Sequence, residues 1–570
     1  MKKLTFGTPE PLTPSRFCAG FNPQDTPVRY DTAAFTFRET ARGCVLEFPL
    51  TADEELYGFG LQLKEFTHKH RKLLLRTNSD PVAATGDSHA PVPFFVSTRG
   101  YGMYFDTARC VEVYCGFAKK QNRSPAADNS IIANADDLYR KTGLHEPVTM
   151  AVEIPSAKGI DVYLFEGNNI LDVVSQYNMM SGGGCTVPDW GLGTLYRAYA
   201  KYTDAEVLQL ADYFEKTDLL VQTIGLEPGW QSSSYSCSYV WDSERYPNHE
   251  AMVAELRRRG YHINLWEHAF VNAVSPIYSE IFPYCGDYEV WKGLVPDFAT
   301  PEARRIFADY HRKVLIDRGI DGFKLDECDN SDFVHSDWSF PNCASFPSGL
   351  DGEQYHQLFG TLYMQTILRA LDGQPTLSEV RNAGALAAPY PFVLYSDLYD
   401  HRDFIRGIVN SGFSGLLWTA ELRDAASRKD LLRRLQTTVF SVQCLINAWY
   451  CPEVPWKEFD CEAEVRDLLR VRQSLIPMLR DAFADYHRTG KPPVRALVCD
   501  YTDDRETYAI DDEYIFCDRL IVAPLTAESD ARRVYLPAGT WRDYWSKSPV
   551  ASGWFDVCTE QIPVFERVAE

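Results

Sequence analysis

No segment of this chain approaches the roughly 18 to 20 consecutive apolar residues that a membrane-spanning helix needs, so no membrane partner is expected. Positive charge is scarce as well. Fifty-seven lysines and arginines stand against 79 aspartates and glutamates, a formal net charge of -22. An acidic field of that size repels nucleic acid, anionic membrane and strongly acidic substrates, which argues against all three as principal partners. Disulfide and zinc signatures are also missing. The fifteen cysteines are odd in number and scattered, with no C-x-x-C pair. Free thiols in a reducing compartment follow, and with them a cytoplasmic location. The opening MKKLTFGTPEPLTPSRF carries two lysines with no apolar run behind them, so no secretory leader is expected. The acidic run DECDNSD at 326–332 lacks the glycine and glutamate that a calcium loop needs at its sixth and twelfth positions. Solenoid repeats and low-complexity tracts are absent. Aromatic residues are plentiful, at 13% of the chain, which suits sugar-binding surfaces and equally a β-rich core.

The 570 residues exceed one ordinary core, and the pattern divides them into three. Up to about residue 180, short alternating runs such as CVLEFPL, VPFFVSTRGYGMYFDT and IDVYLFEG are separated by turn residues, as in a β-sandwich. Three glycines at 182–184 and Pro188 interrupt that pattern. Apolar runs then alternate with helical segments: GTLYRAYA, VQTIGLEP, YHINLWEHAF, IDGFKLD, PTLSEV, PFVLYSD, SGLLWTA and CLINAWY. Eight strand-like pieces with helices between most of them predict a closed (β/α)8 TIM barrel. From about residue 490 the β-like runs VRALVCDY, YIFCDRLIVAP and ARRVYLPAG return. The expected organisation is an N-terminal β-sandwich over 1–185, a barrel over 186–488 and a small C-terminal β-domain over 489–570.

The stretch DGFKLDECDN at 321–330 is where chemistry is expected. A short apolar strand runs directly into Asp326, Glu327 and Asp329, a crowding of like charges that packing alone would not select. In a parallel barrel the C-terminal strand ends carry the catalytic groups. Nearly every strand-like piece here ends in a polar or aromatic residue: Tyr196, Glu227, Trp266 with Glu267, Asp326, Glu379 with Arg381, Asp397, Trp418 and Trp449. Gathered at one end of a barrel, these would make a pocket.

The ordered set of local motifs resembles glycoside hydrolase family 31, the retaining α-glycosidases. ELYGFGLQ at 55–62, VPFFVSTRGYGMYFDT at 92–107 and VYLFEG at 162–167 resemble its sandwich. VWDSERYPNHEAMVAELRRRGYHINLW at 240–266 resembles its barrel segment running into the third strand. RQSLIPML, GKPPVRAL, DRLIVAPL and VYLPAGTWRDYW follow in the order of its post-barrel region. The resemblance implies a nucleophile at Asp326 in GIDGFKLDE and an acid/base at Asp397 in YSD. Retention requires one carboxylate to attack the anomeric carbon while the other protonates the leaving oxygen, with the two carboxyls roughly 5 to 5.5 Å apart. Asp326 is then expected to be ionised and Asp397 protonated when substrate binds.

The departures are equally specific. No arginine precedes the acid/base, and the S-D-x-x-D pattern also resembles the acid/base loop of related α-galactosidases, which makes Asp400 a rival for that role. TAELRDA stands where the family has Asp-Ile-Gly-Gly-Phe, with Glu421 near the aspartate position, and NAWYCPEVPW replaces an Arg-x-His. Glu227 stands where the resemblance implies a carboxylate that reads sugar hydroxyls, a helix cap being the plainer alternative. Trp230, Trp266, Trp418 and Trp449 are candidates to stack on pyranose faces or to fill the barrel mouth. His268 and Lys324 are further candidate sugar ligands. Arg381 and Arg402 are candidate forked donors to hydroxyls, with salt bridges to Glu379 and Asp403 as alternatives. Cys328 is expected only to pack. The resemblance implies an exo-acting α-glycosidase without cofactor, acting on a small carbohydrate. The altered subsite favours an α-galactoside or a modified sugar over the family's usual α-glucoside. A transglycosylase on the same pair, or a carbohydrate-binding protein without catalysis, are the alternatives, and oligomeric state is left open, a homo-oligomer included.

Overall fold

The computed structural model describes residues 1–79, 81–120, 148–329 and 338–568, so the end of the calcium-like run, from 330 onward, lies outside them. Two five-stranded antiparallel sheets form the first layer pair. One runs in the order Lys2–Thr8, Lys158–Glu166, Tyr101–Asp106, Pro91–Ser97, Leu56–Gly60. The other runs Thr36–Glu39, Gly43–Leu50, Val148–Pro155, Val111–Phe117, Lys72–Leu75. Val148, Met150, Val152 and Ile154 alternate inward along their strand, and with Phe48, Phe59, Phe95 and Phe105 they fill the space between the sheets. Helix Ile170–Met180, capped by the Asn169 side chain, leads out of the sandwich.

Eight parallel strands follow: β1 (Thr194–Arg197), β2 (Thr223–Leu226), β3 (His262–His268), β4 (Gly322–Asp326), β5 (Ser378–Val380), β6 (Phe392–Leu394), β7 (Glu421–Leu422) and β8 (Cys444–Asn447). They hydrogen-bond in the order β6-β5-β4-β3-β2-β1-β8-β7. A parallel bridge from Leu394 to Trp418 brings the two ends of the curled sheet together. Helices Asp204–Lys216, His249–Arg258, Pro301–Val314, Gly352–Leu371, His401–Ser411, Arg428–Val439 and Glu462–Thr489 surround it. Their starts are written into the sequence: Thr203 with Glu206 and Asp351 with Gln354 form capping boxes, and Pro301 opens its helix behind the Thr300 cap. The link from β5 to β6 carries no helix. Two features differ from the sequence expectation. The seventh strand is only Glu421–Leu422, with Trp418 contributing a single bridge before it. A hairpin, Cys285–Val290 with Gly293–Pro296, is inserted between β3 and β4.

The C-terminal part is a six-stranded sheet from Val494–Ala496 to Val564–Arg567 with a separate ribbon, Ala531–Leu536 against Gly553–Cys558. Leu497, Ile515, Val534, Leu536 and Phe565 pack between them. All fifteen cysteines are free. Among the described residues no helix is long and apolar enough to cross a membrane, and no cluster of His, Cys, Asp and Glu is arranged to hold a metal ion.

Candidate active site

Alternation along β4 builds the floor. Phe323 faces outward, its ring 6.1 Å from that of His311 on helix Pro301–Val314. Lys324 and Asp326 then share the inward face. Lys324 Nζ lies 3.4 and 3.3 Å from the two carboxylate oxygens of Glu227, and 4.8 Å from the ring centre of Tyr395. Arg197, at the end of β1, donates through Nε to Glu227 and through Nη1 to Asn264 Oδ1 at 3.0 Å and Glu379 Oε2 at 3.3 Å. Asn264 Nδ2 closes the set on Glu379 Oε2 at 2.9 Å. Glu227 is therefore a buried ion-pair partner, and its side chain caps no helix. A connected polar layer of this kind holds its members in place because a lost partner leaves a buried charge unpaired. Burial drives the Glu379 carboxyl up to about 7 against the pull of Arg197 and Lys324.

Above that layer sit the two aspartates. Asp326 Oδ2 accepts from Trp266 Nε1 at 2.6 Å, and its Oδ1 accepts from the Glu327 backbone N–H at 3.0 Å. Arg381, in the helix-free link after β5, joins the pair: its Nε is 3.9 Å from Asp326 Oδ1 and its Nη1 is 2.5 Å from Asp397 Oδ2. The same Nε donates to Asp329 Oδ2 at 2.9 Å. Asp329 in turn meets His89 Nδ1 at 3.2 Å, and His89 Nε2 lies 2.8 Å from Ser396 Oγ, next to Asp397. His89 comes from the sandwich, so two domains build one cup. The alternative pairing of Arg381 with Glu379 is not formed.

The electrostatics reverse the expected poise of the two carboxylates. Burial raises Asp326 above the ordinary carboxylate range, with Lys324 and Arg381 opposing and Asp397 adding to the rise. At Asp397 burial also pushes upward, but Arg381, Arg423 and Lys324 outweigh it and hold the group well below its usual range. Water reaches 59% of the Asp397 side chain and screens these attractions, but their direction is set by the cations around it. The cause of the reversal is the arginine fork: it touches Asp397 closely and Asp326 only at 3.9 Å. Glu327, held in left-handed backbone at φ 57°, is driven well up by burial and by Asp326 and Asp329. Asp329 is lowered, Arg381 and His89 overcoming its burial.

The remaining predicted residues separate cleanly. Trp266 is a member of the site through its bond to Asp326. His268 is buried among Tyr235, Phe270 and Trp291. Its Nδ1 accepts from the Phe270 N–H at 3.1 Å, its Nε2 has no protein partner, and burial lowers it to about 3, so it is neutral at physiological pH. Glu421 is buried, bonded to Arg423 and to Asn447 Nδ2 at 3.1 Å. Trp449 is exposed beyond β8, its carbonyl accepting from the Ala200 N–H after β1 at 2.7 Å, which places it at the mouth. Cys328 is buried and packs, as expected.

Four candidates are engaged elsewhere, the two tryptophans in the packing that was their alternative. Trp230 is wholly buried with its indole donating to the Trp266 carbonyl at 2.7 Å, and Trp418 is buried with its indole on the Phe404 carbonyl at 3.1 Å. Neither presents a face to a sugar. Asp400 caps helix His401–Ser411, its Oδ1 accepting from the Asp403 N–H at 2.8 Å. Arg402 turns to Asp511 of the C-terminal domain at 2.5 Å, neither to the cup nor to Asp403.

Sequence reading missed Arg197, Arg423, Tyr395 and His89. Arg197 lay one residue beyond the strand end assigned to Tyr196. That tyrosine faces outward onto Phe214 and Trp456, so the strand's alternation, read one place further, points the arginine inward. Nothing local marks His89, which stands 240 residues from Asp329.

Residues 185–482 match the family model described as "Glycosyl hydrolases family 31 TIM-barrel domain", and 490–568 match "Glycosyl hydrolase family 31 C-terminal domain". An α-xylosidase of Emericella nidulans is 22% identical over 88% of this chain, and Alpha-glucosidase 2 of Bacillus thermoamyloliquefaciens is 24% identical over 93% of it. The chain spans 63% and 68% of those two proteins. The crystal structure of a GH31 α-xylosidase from a soil metagenome, complexed with xylose, superposes with a TM-score of 0.76 at 20% identity, covering 94% of this chain and 81% of the other. With a family model matching more than half of its length, this chain belongs to glycoside hydrolase family 31.

Proposed function

We propose that the protein is a retaining, exo-acting α-glycosidase for xylose- or glucose-configured α-linked sugars, with Asp326 as nucleophile and Asp397 as acid/base. The observation that carries this reading is the single Arg381 guanidinium shared by both carboxylates at the C-terminal end of the strands. Asp326 attacks the anomeric carbon as Asp397 protonates the departing oxygen. The glycosyl ester on Asp326 is then opened by water that Asp397 deprotonates. Of the two carboxylates, burial raises Asp326 while Arg381, Arg423 and Lys324 lower Asp397, so their affinities for a proton are pushed apart. In the resting site Asp326 is the one that takes up a proton more readily. A sugar filling the cup displaces water, and its hydroxyls compete for the Arg381 fork, which moves the proton to Asp397 and frees Asp326 as the ionised nucleophile.

The α-galactoside expectation loses one of its two supports. Its sequence basis was the altered subsite together with the S-D-x-x-D loop, and the second aspartate of that loop, Asp400, is committed to a helix cap. The relatives named above are an α-xylosidase and an α-glucosidase. The test is initial rates on a panel of p-nitrophenyl α- and β-glycosides. Release from α-xyloside or α-glucoside, abolished in Asp326→Ala, is the expected result. Release from a β-glycoside, or silence of the folded protein across the panel, would overturn the reading.

A further inference from the structure

The segment 395–400 between β6 and helix His401–Ser411 has no regular structure of its own, yet it carries Asp397. A side chain from the opposite end of the sheet holds it by two successive backbone carbonyls. Arg423, just after β7, donates from Nη1 to the Asp397 carbonyl at 2.9 Å and from Nη2 to the Ser396 carbonyl, while its Nε is bonded to Glu421. Its Nη2 also lies 3.7 Å from Asp397 Oδ1. Its own backbone N–H donates to Tyr399 Oη at 2.7 Å, and its guanidinium stands 5.0 Å from the Tyr399 ring centre. Tyr399 Oη donates onward to the Asp424 carbonyl at 2.9 Å. Residues 396–399 are thus bolted to 421–424 through backbone carbonyls, a ring and a carboxylate at once. Arg423 lies in TAELRDA, the stretch that stands where the resemblance would have Asp-Ile-Gly-Gly-Phe.

We propose that Arg423 is the positioning residue for Asp397: it fixes the acid/base loop against β7 and sets the charge that Asp397 feels from the side away from Arg381. This rests on the reading of Asp397 as acid/base. The groups facing Asp397 come from every neighbouring element: Arg381 after β5, Lys324 and Asp326 on β4, Glu327 beyond it, and Arg423 after β7. Glu421 is the counter-ion of Arg423 and is itself held by Asn447 of β8, so removing the guanidinium deletes a positive charge near Asp397 without exposing another cation to it. His89 steadies the other side of the loop through Ser396.

The experiment compares the unmodified protein with Arg423→Ala and Arg423→Lys on aryl and alkyl glycosides of whichever α-sugar it cleaves, across pH. Protonation matters little for a dinitrophenolate leaving group and greatly for an alkoxide. Arg423→Ala is expected to lose at least about tenfold more kcat/KM on the alkyl glycoside than on the dinitrophenyl glycoside. The basic limb of its kcat/KM profile should move up by about one pH unit, because a cation that favoured ionised Asp397 is gone. Arg423→Lys keeps the charge and loses the fork, so its limb should stay in place while part of the extra loss on the alkyl glycoside remains. An equal loss on both leaving groups with an unmoved limb in Arg423→Ala, or, if only Arg423→Lys folds, an equal loss on both leaving groups in that variant, overturns the role of Arg423 alone. Silence of the unmodified protein on every α-glycoside overturns the glycosidase reading itself, and the proposal falls with it.

Discussion

At the scale of residues, the site is governed by one guanidinium. Arg381 reaches Asp326, Asp329 and Asp397, and its closer contact with Asp397 than with Asp326 helps to hold Asp397 the lower of the two. Asp397→Ala should slow hydrolysis of poor leaving groups by about 10² to 10⁴, the usual yield of general acid catalysis. Added azide should restore turnover with release of the α-glycosyl azide, detected by NMR. A sugar azide of β-configuration would contradict double displacement. Arg381→Ala removes the shared cation, so both carboxylates repel without a mediator and kcat/KM should fall by at least about 10²; a loss under tenfold in steady-state rates would contradict the central place given to this side chain. Asp326 stood out as a candidate in the sequence because an acidic residue closing a buried parallel strand has no packing reason to be there, and Asp397 through the family resemblance of YSD. Their poise was not legible, since it depends on distances from Arg381 and Arg423 that no local pattern encodes.

Elements explain which strand-end residues face the cup and which do not. Tyr196 and Arg197 are adjacent, and the period of two sends the first to the helices and the second to Glu227. Trp230 and Trp418 are buried for a related reason: each large ring is consumed by packing and by a carbonyl partner before it reaches the mouth. The eight strands were readable from alternation with helices. The hairpin after β3 and the shortness of β7 were not, because two-residue strands and inserted turns leave no periodic signal. Asp400 gives a direct test at this scale. Asp400→Ala should destabilise the protein by about 1 kcal/mol in denaturant unfolding through loss of the cap, and Asp400→Asn should restore most of it. Hydrolysis rates should follow the wild type in both, and a loss comparable to that of Asp397→Ala would return Asp400 to the chemistry.

For the whole molecule, the cup exists only where domains meet. His89 reaches from the sandwich to Asp329 and Ser396, so His89→Ala should cost about 1 to 3 kcal/mol, the penalty for leaving buried partners unsatisfied, and should lower kcat as Arg381 loses its brace. This dependence was invisible in the sequence, where the partners lie in different domains. The C-terminal domain sets a pH dependence of its own. Burial lifts Glu513 to about 8 despite Arg532, so folding favours its protonated form. The stability this contributes is complete below the unfolded value near 4.5 and is lost as pH rises through about 8. A profile of Tm against pH should fall over that window, and Glu513→Gln should flatten it. The central claim, that Asp326 becomes covalently glycosylated, is tested most directly by treating the protein with a 5-fluoro-α-glycosyl fluoride of the cleaved sugar and mapping the adduct by peptide mass spectrometry. The account predicts one added fluoroglycosyl group on the peptide containing Asp326, absent in Asp326→Ala. A label on another carboxylate, or inactivation with no adduct at Asp326, would contradict it.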